Sequence, residues 1–588
     1  MKDIKIVVCL VLFSVLCTHI SATTWRVPSQ CPHIQAGIDS ASAGDTVLVA
    51  DGTYIGLGNR DIDFGGKAIL VTSENGSVVT IIDCQADSLN PHRGFYFHSG
   101  EDSNSIVRGF TIKHGHVWQS LNDGGGAIYC KNSSPTIESN VFTEHYAHTG
   151  GAVYCEYADP IIRNNTIMND TASWYGGAIF CINCSPTIIG NTITHNTAGT
   201  EGGGIYLHNA DCYIDSNTIS ENTATYWDGG GIYCWYYSDA IIINNTITLN
   251  TAGQFGGGIY CDWYSHPNIE NNIISQNTSI LQGGGIHLSE SSPTIKNNMI
   301  VNNTGQHGGG IYCEWMSSPD ITDNLITDNT ASWGGGIYCY SQCSPTMDGN
   351  TFTNNITTGV GGNGAGIYCY TNCFPTVINC IIWGDSALPG AGEIYQDGSS
   401  NITITYSDVE GGWAGVGNID ADPLFVLGPL GNYYLSQIAA GQAQQSPCVD
   451  SGNPSSLIPD GTTRTDQAPD ATPVDMGYHY PIVTGIFEED NENIHSGIQY
   501  LNQNYPNPFN LNTTIEYSVI SPTKINLSIY DICGKLVKRL VNKTMPAGQH
   551  EVIWDGCDNQ GHKVSSGVYF YQLGAGDYAE TRRMIFIR

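Results

Sequence analysis

Basic residues are scarce in this chain of 588: 21 Lys plus Arg stand against 54 Asp plus Glu, a formal net charge of −33. Nucleic acids and anionic membranes are bound through basic surface, so neither is an expected partner. Charge of either sign is sparse, at 13% of residues, where soluble proteins average about 25%. After Cys17 no apolar run is long enough to cross a bilayer as a helix. The i, i+3, i+4, i+7 spacing of amphipathic helices is missing from the middle of the chain.

Glycine, Asn, Thr and Ile stand where charge and helix formers are absent, and they come as a repeat. One copy reads Gly229-Gly230-Gly231-Ile232-Tyr233-Cys234, then Ile242-Ile243-Asn244-Asn245-Thr246-Ile247 and Asn250-Thr251-Ala252. The aliphatic residue of the first block falls at Ile128, Val153, Ile179, Ile205, Ile232, Ile259, Ile286, Ile311, Ile337 and Ile367. A spacing of roughly 25–30 residues marks a solenoid, a propeller or an array. Pro and Gly corners around short β-branched runs leave room for two or three strands per copy, too few for a propeller blade. The fold class is therefore all-β: a right-handed, single-stranded parallel β-helix with coils stacked about 4.8 Å apart.

Alternation along Ile-Tyr-Cys places Ile and Cys inward and Tyr outward. Leu207 and Leu288 stand in the Cys slot, and Phe180 and His287 in the Tyr slot, in keeping with that assignment. Two Asn slots recur, one running from Asn140 to Asn350 and one from Asn196 to Asn355. Side-chain amides stacked coil on coil satisfy one another, and Asn tolerates the left-handed backbone of a corner.

Lys2 and Lys5 before the apolar run Ile6–Cys17, with Ser21 and Ala22 after it, read as a secretory signal over 1–22. Residues 23–123 form an N-terminal cap and first coils, with an amphipathic helix expected over His33–Ser42. The ten-copy region is 124–383, the last coils and C-terminal cap 384–484, and an acidic linker 485–504. A small Ig-like antiparallel β-sandwich follows at 505–588. Its strand-like runs are Thr513–Val519, Lys524–Tyr530, Lys535–Val541, His550–Trp554, Val568–Leu573 and Thr581–Ile587.

Two resemblances attach to particular residues. Gly125-Gly126-Ala127-Ile128, Gly176-Gly177-Ala178-Ile179 and Phe352-Thr353-Asn354-Asn355 resemble the repeats of the chlamydial polymorphic outer-membrane proteins. That resemblance implies surface exposure and adhesion, although most copies carry Gly for Ala and Ile for Phe. Tyr505–Phe509, Ile529-Tyr530-Asp531 with Gly534, Ala547-Gly548, Trp554-Asp555-Gly556 and Ser566-Gly567-Val568-Tyr569 resemble the C-terminal sorting domain of type IX secretion. It implies the type IX machinery as partner, and a secreted or outer-surface location in a Gram-negative bacterium.

Chemistry is less marked. Carboxylates are many but ungrouped, and Arg163 is the lone Arg of the repeats. The clustered Asp and Arg base of pectate lyases are therefore missing, and His114-Gly115-His116 only superficially echoes a galacturonase motif. No catalytic residue, metal ligand or cofactor is assigned; Ca²⁺ has no specific carboxylate cluster to hold it. Eight cysteines of the inward column are expected as buried thiols.

The candidate binding surface is the outward aromatic row, Tyr206, Tyr233, Tyr260, Tyr312 and Tyr338, with Trp235, Trp263 and Trp315 at the next outward slot. The alternative is that these rings pack on one another and stiffen the sheet. Three functions follow: an adhesin-like binder of polysaccharide or a cell-surface protein, a polysaccharide lyase or glycoside hydrolase, or a structural spacer.

Overall fold

The computed structural model describes residues 22–118, 124–359, 363–387, 392–482 and most of 500–586. Within that last stretch 502–503, 505–508, 510–511, 520–522, 532–534, 546–547, 565–566 and 576–577 are not described. The secretory signal, nearly all of the linker, and Tyr505–Pro508, Gly534, Ala547 and Ser566 of the sorting-domain motif lie outside the described residues.

The chain divides into two compact units. The first holds residues up to Thr294 with Ile300–Ser317 and Thr330–Ser332; the second holds Ile295–Met299, Ser318–Asn329 and everything from Trp333.

In the first unit each coil lays one short strand on each of three parallel sheets. In the coil carrying Ile232, sheet C takes Ile232–Trp235, sheet A Ile241–Ile243 and sheet B Thr246–Thr248. Each pairs in register with its equivalent one coil on, as Ile232 with Ile259, Ile242 with Ile269 and Ile247 with Ile274. A fourth ladder, sheet D, is built from Thr-Ala pairs such as Thr223–Ala224 and Thr251–Ala252. It adds one strand to the two or three that the sequence pattern suggests, because the second Asn slot turns the chain once more. The helix Ile34–Ser40 precedes the coils, with His33 Nδ1 accepting the Ala36 N–H at its N-cap.

Inward columns of Ile and Cys make the core. Ile232, Ile259 and Ile286 are fully buried, as are Cys130, Cys155, Cys181, Cys234, Cys261 and Cys313. The described cysteines are free thiols. Burial, with the neighbouring Cys234, holds Cys261 protonated far above its ordinary range.

The Asn slots form two buried hydrogen-bonded ladders. The Asn140 backbone N–H and Nδ2 both donate to Asn165 Oδ1, at 2.9 and 3.1 Å, and Nδ2 also donates to the Val107 carbonyl. The pattern repeats through Asn191, Asn217, Asn245 and Asn272. The left-handed residue is the one before each ladder Asn, such as Asn164 or Asn244, rather than the ladder Asn itself. The ladder side chain is needed inside, so its predecessor absorbs the turn.

The second unit carries the same ladders in its own coils, with Asn324 on Asn350 and Asn329 on Asn355. Asn350 hands on to Cys380 Sγ and Asn355 to Asp385. A hairpin, Phe425–Gly428 and Gly431–Leu435, and the stacked rings of Tyr434 and Tyr480, 4.0 Å apart, belong to the closing segment. Its buried His479 lies between Asp470, 3.0 Å away, and Asp323, 3.5 Å away.

The C-terminal sandwich is antiparallel. Tyr500–Leu501, Thr513–Val519 and Gly548–Trp554 form one sheet; Leu536–Met545, Thr523–Asp531, Gly567–Ala575 and Tyr578–Phe586 form the other. Phe509, Leu527, Trp554, Tyr571 and Phe586 lie in its core. Pairing begins at Tyr500, inside the stretch read as linker, and the buried Asn504 donates from its backbone to Tyr571 Oη at 2.7 Å. The polar sequence there conceals an edge strand.

Candidate functional site

Every sheet C strand has four positions. In Ile259–Asp262 the first three are buried and the fourth is partly exposed. The first and third face the core; the second and fourth face away. The second-position rings of the first unit stack coil on coil. Centroids are 4.9 Å apart for Tyr129–Tyr154, 5.2 Å for Tyr154–Phe180 and 5.0 Å for Tyr233–Tyr260. These separations match the rise of one coil.

Solvent does not reach this column: of the two expectations the packed row holds and the exposed binding row does not. Tyr206, Tyr233, Tyr260, Tyr312 and Tyr338 are between 2% and 8% exposed. From Tyr129 to Tyr260 the rings pack in one cluster, and Tyr175, Trp235 and Phe255 close its margins. Gly229, at φ +67, and Gly256, at φ +65, lie against the Tyr233 and Tyr260 Cβ atoms, and a Cβ on either glycine would come within 2.7 Å. Alternation gives the direction of a side chain but not what its neighbours cover.

His287 interrupts the column. Its ring packs 4.6 Å from Tyr260 and 4.9 Å from Tyr312, and Nε2 lies 3.3 Å from Glu314 Oε1.

The tryptophans separate. Trp235 is a fourth-position residue that pairs in register with Asp262 and packs 4.4 Å from His208. Trp263 and Trp315 come after the strand, in the corner, at 51% and 52% exposure. Sequence reading missed their companions: Tyr236 and Tyr237 one coil before Trp263, Tyr264 beside it, and Met316 beside Trp315. All four are exposed. Tyr237 and Tyr264 stack at 5.7 Å with 19° between planes.

This corner holds its aromatic residues in left-handed backbone: φ is 54° and 55° at Tyr236 and Tyr237, 51° and 59° at Trp263 and Tyr264, and 52° at Trp315. Equivalent corners carry Asn132, Asn183 and Asn209, residues suited to that conformation. The signal in the sequence was the run of aromatics after Cys in Cys234-Trp235-Tyr236-Tyr237 and Cys261-Asp262-Trp263-Tyr264.

Carboxylates flank the tyrosine column. Glu201 and Asp228 stand before the glycines that lead into sheet C strands, and Asp262 and Glu314 end such strands. Burial pushes Glu201 up to about 7, helped by Asp262, and Asp228 up to about 8 despite the Phe255 N–H it accepts. Burial likewise raises Asp262 to about 6. Among the described residues no group of three His, Cys, Asp or Glu side chains is placed to hold a metal ion. Among them, no helix is long and apolar enough to cross a membrane.

A family model, the right handed β-helix region, matches residues 46–219, 200–360 and 280–424, more than half of the chain. The chain belongs to that family. The FlgD Ig-like domain model matches residues 511–577. No curated protein matches the chain. Among solved structures it is similar to PorZ, described as an essential bacterial surface component of the type IX secretion system of Porphyromonas gingivalis. That likeness is 25% identity over 15% of this chain and 11% of that one, at a TM-score of 0.12. The match spans about a tenth of PorZ.

Proposed function

We propose that this protein is an exported, non-enzymatic binder whose sheet C corner engages polysaccharide or a cell-surface partner. The observation that carries this reading is the aromatic corner. Left-handed backbone costs a non-glycine residue roughly 1–2 kcal/mol, and five aromatic side chains bear that strain while exposed. Strain held by exposed side chains outside the core points to function. The net charge of −33 favours neutral partners over polyanions.

A glycan array probed with the full mature chain tests this. Binding that falls at least tenfold in Trp263→Ala and Trp315→Ala supports it; binding indifferent to both substitutions, or no binding at all, sinks it.

The signal-like segment at 1–22 and the motif residues of 505–588 support export through the type IX machinery to a Gram-negative outer surface. Deleting 505–588 is expected to leave the β-helix folded and retained in the periplasm, as cell fractionation would show. The truncated form on the surface in normal amounts would remove the sorting role.

A second reading, a carbohydrate-active enzyme, is favoured by the raised carboxylates Glu201, Asp228 and Asp262, since shifted acids gather at catalytic sites. Release of reducing ends or unsaturated uronates, abolished by Asp228→Asn, would replace the first reading with this one.

A further inference from the structure

The first unit carries a second feature, away from sheet C, that the binding corner does not explain. Where strands Thr80–Asp83 and Thr111–Lys113 of sheet B end, the chain turns through His114, at φ 56°, and one coil on through Glu144, at φ 60°. The turn opens a cleft of about 390 Å³, within the range of small-molecule sites.

One edge of the cleft is a line of charges. His114 Nδ1 is 3.0 Å from Asp83 Oδ1, and Nε2 is 2.8 Å from Glu144 Oε2. The ring thus bridges the two carboxylates. Lys113 Nζ adds a contact to Asp83 at 3.7 Å. The edge offers a ligand both donors and acceptors.

The other edge is flat and aromatic. His116 and Tyr146 pair in register and stack at 4.8 Å with 25° between planes. Burial lowers the His116 pKa against the opposing pull of Asp87, leaving a neutral imidazole with one nitrogen free to accept.

We propose that this cleft is a binding subsite for a neutral saccharide ring, lying on the Tyr146–His116 pair with its hydroxyls along the Asp83–His114–Glu144 edge. A pyranose has one carbon-hydrogen face and a rim of hydroxyls that each donate and accept, which is the pattern the two edges present. An anionic sugar would meet Asp83 and Glu144, and a cationic one would compete with His114 for them.

The test is saturation-transfer NMR and calorimetry on the full mature chain. The probes are cellotetraose and mannotetraose, with trigalacturonate and fully deacetylated chitotetraose as charged controls. Binding of a neutral tetrasaccharide is expected, with at least tenfold weaker binding of both charged probes. Tyr146→Ala should weaken it at least tenfold. So should Glu144→Gln, a change at a side chain 57% exposed that keeps the coil intact. Trp263→Ala should leave this site unaffected, which separates it from the sheet C corner. Failure of both neutral probes, preference for a charged one, or wild-type affinity in both cleft variants would overturn the proposal.

Discussion

Tyr260 and Tyr264 are four residues apart on one coil, and nearly everything physical about them differs. Tyr260 sits in a strand, 5% exposed, its ring stacked on Tyr233. Tyr264 sits in the corner, exposed, with left-handed backbone. The first repeats in nearly every coil and is part of the solenoid's construction. The second occurs in a few coils only; other corners hold Asn132, Asn183 and Asn209, or Glu290 and Gln342, in the same left-handed backbone. A residue that recurs with the fold reports stability; one that departs from it at a cost reports something else.

The widest gap in that comparison lies between the core and the outer stack. Ile259→Asp puts a carboxylate into a fully buried aliphatic column, with no partner. A loss of more than about 5 kcal/mol and of cooperative melting between coils is expected. Tyr260→Ser removes a buried ring instead, and should cost about 3–5 kcal/mol, as large-to-small aromatic changes do. Alternation alone, which places Tyr260 outward, would make it much the cheaper of the two to lose. Thermal melts of the two variants measure the gap, and a Tyr260→Ser variant melting like wild type would show that the column is open to solvent after all.

How much was legible follows from the same residues. The repeat, the parallel stacking and the inward Ile and Cys columns came from period and alternation, because a solenoid imposes one environment on each slot. The six sandwich strands were read nearly to their ends from runs of β-formers between turns. The tyrosine column was left undecided between an open and a packed row because part of its cover comes from Tyr175 and Phe255, which lie outside the Ile-Tyr-Cys motif. The corner went unread because left-handed backbone leaves no mark on a Tyr or Trp; only the run of aromatics after Cys hinted at it. The raised carboxylates were invisible for a third reason: Glu201, Asp228 and Asp262 are brought together by coil stacking, far apart in sequence.

Those carboxylates give a smaller effect with a definite sign. Each is raised in the folded chain, so folding holds protons that the unfolded chain releases near pH 4. Their contribution to stability is therefore greatest in acid and declines as pH rises through about 6, 7 and 8 for Asp262, Glu201 and Asp228. Asp228→Asn keeps an oxygen to accept the Phe255 N–H, now at 3.0 Å, and removes the charge. Melting temperatures of variant and wild type should be close at pH 4 and diverge toward pH 9, with the variant higher. A gap that stays flat or reverses would mean that Asp228 is solvated.

The smallest effect tests the corner itself. If Tyr264 is held left-handed for a reason outside packing, a residue at ease in that conformation should relieve the strain and lose the function. Tyr264→Asn is expected to raise stability by about 0.5 kcal/mol, since Asn visits this backbone region more readily and the Tyr ring is largely in water. The stack on Tyr237 disappears with it, so ligand affinity at the corner should fall while the melting temperature rises slightly. Tyr260→Asn, the same substitution four residues earlier, should move stability steeply the other way. If Tyr264→Asn were also destabilising, the ring would be contributing packing, and the corner would join the tyrosine column as part of the scaffold.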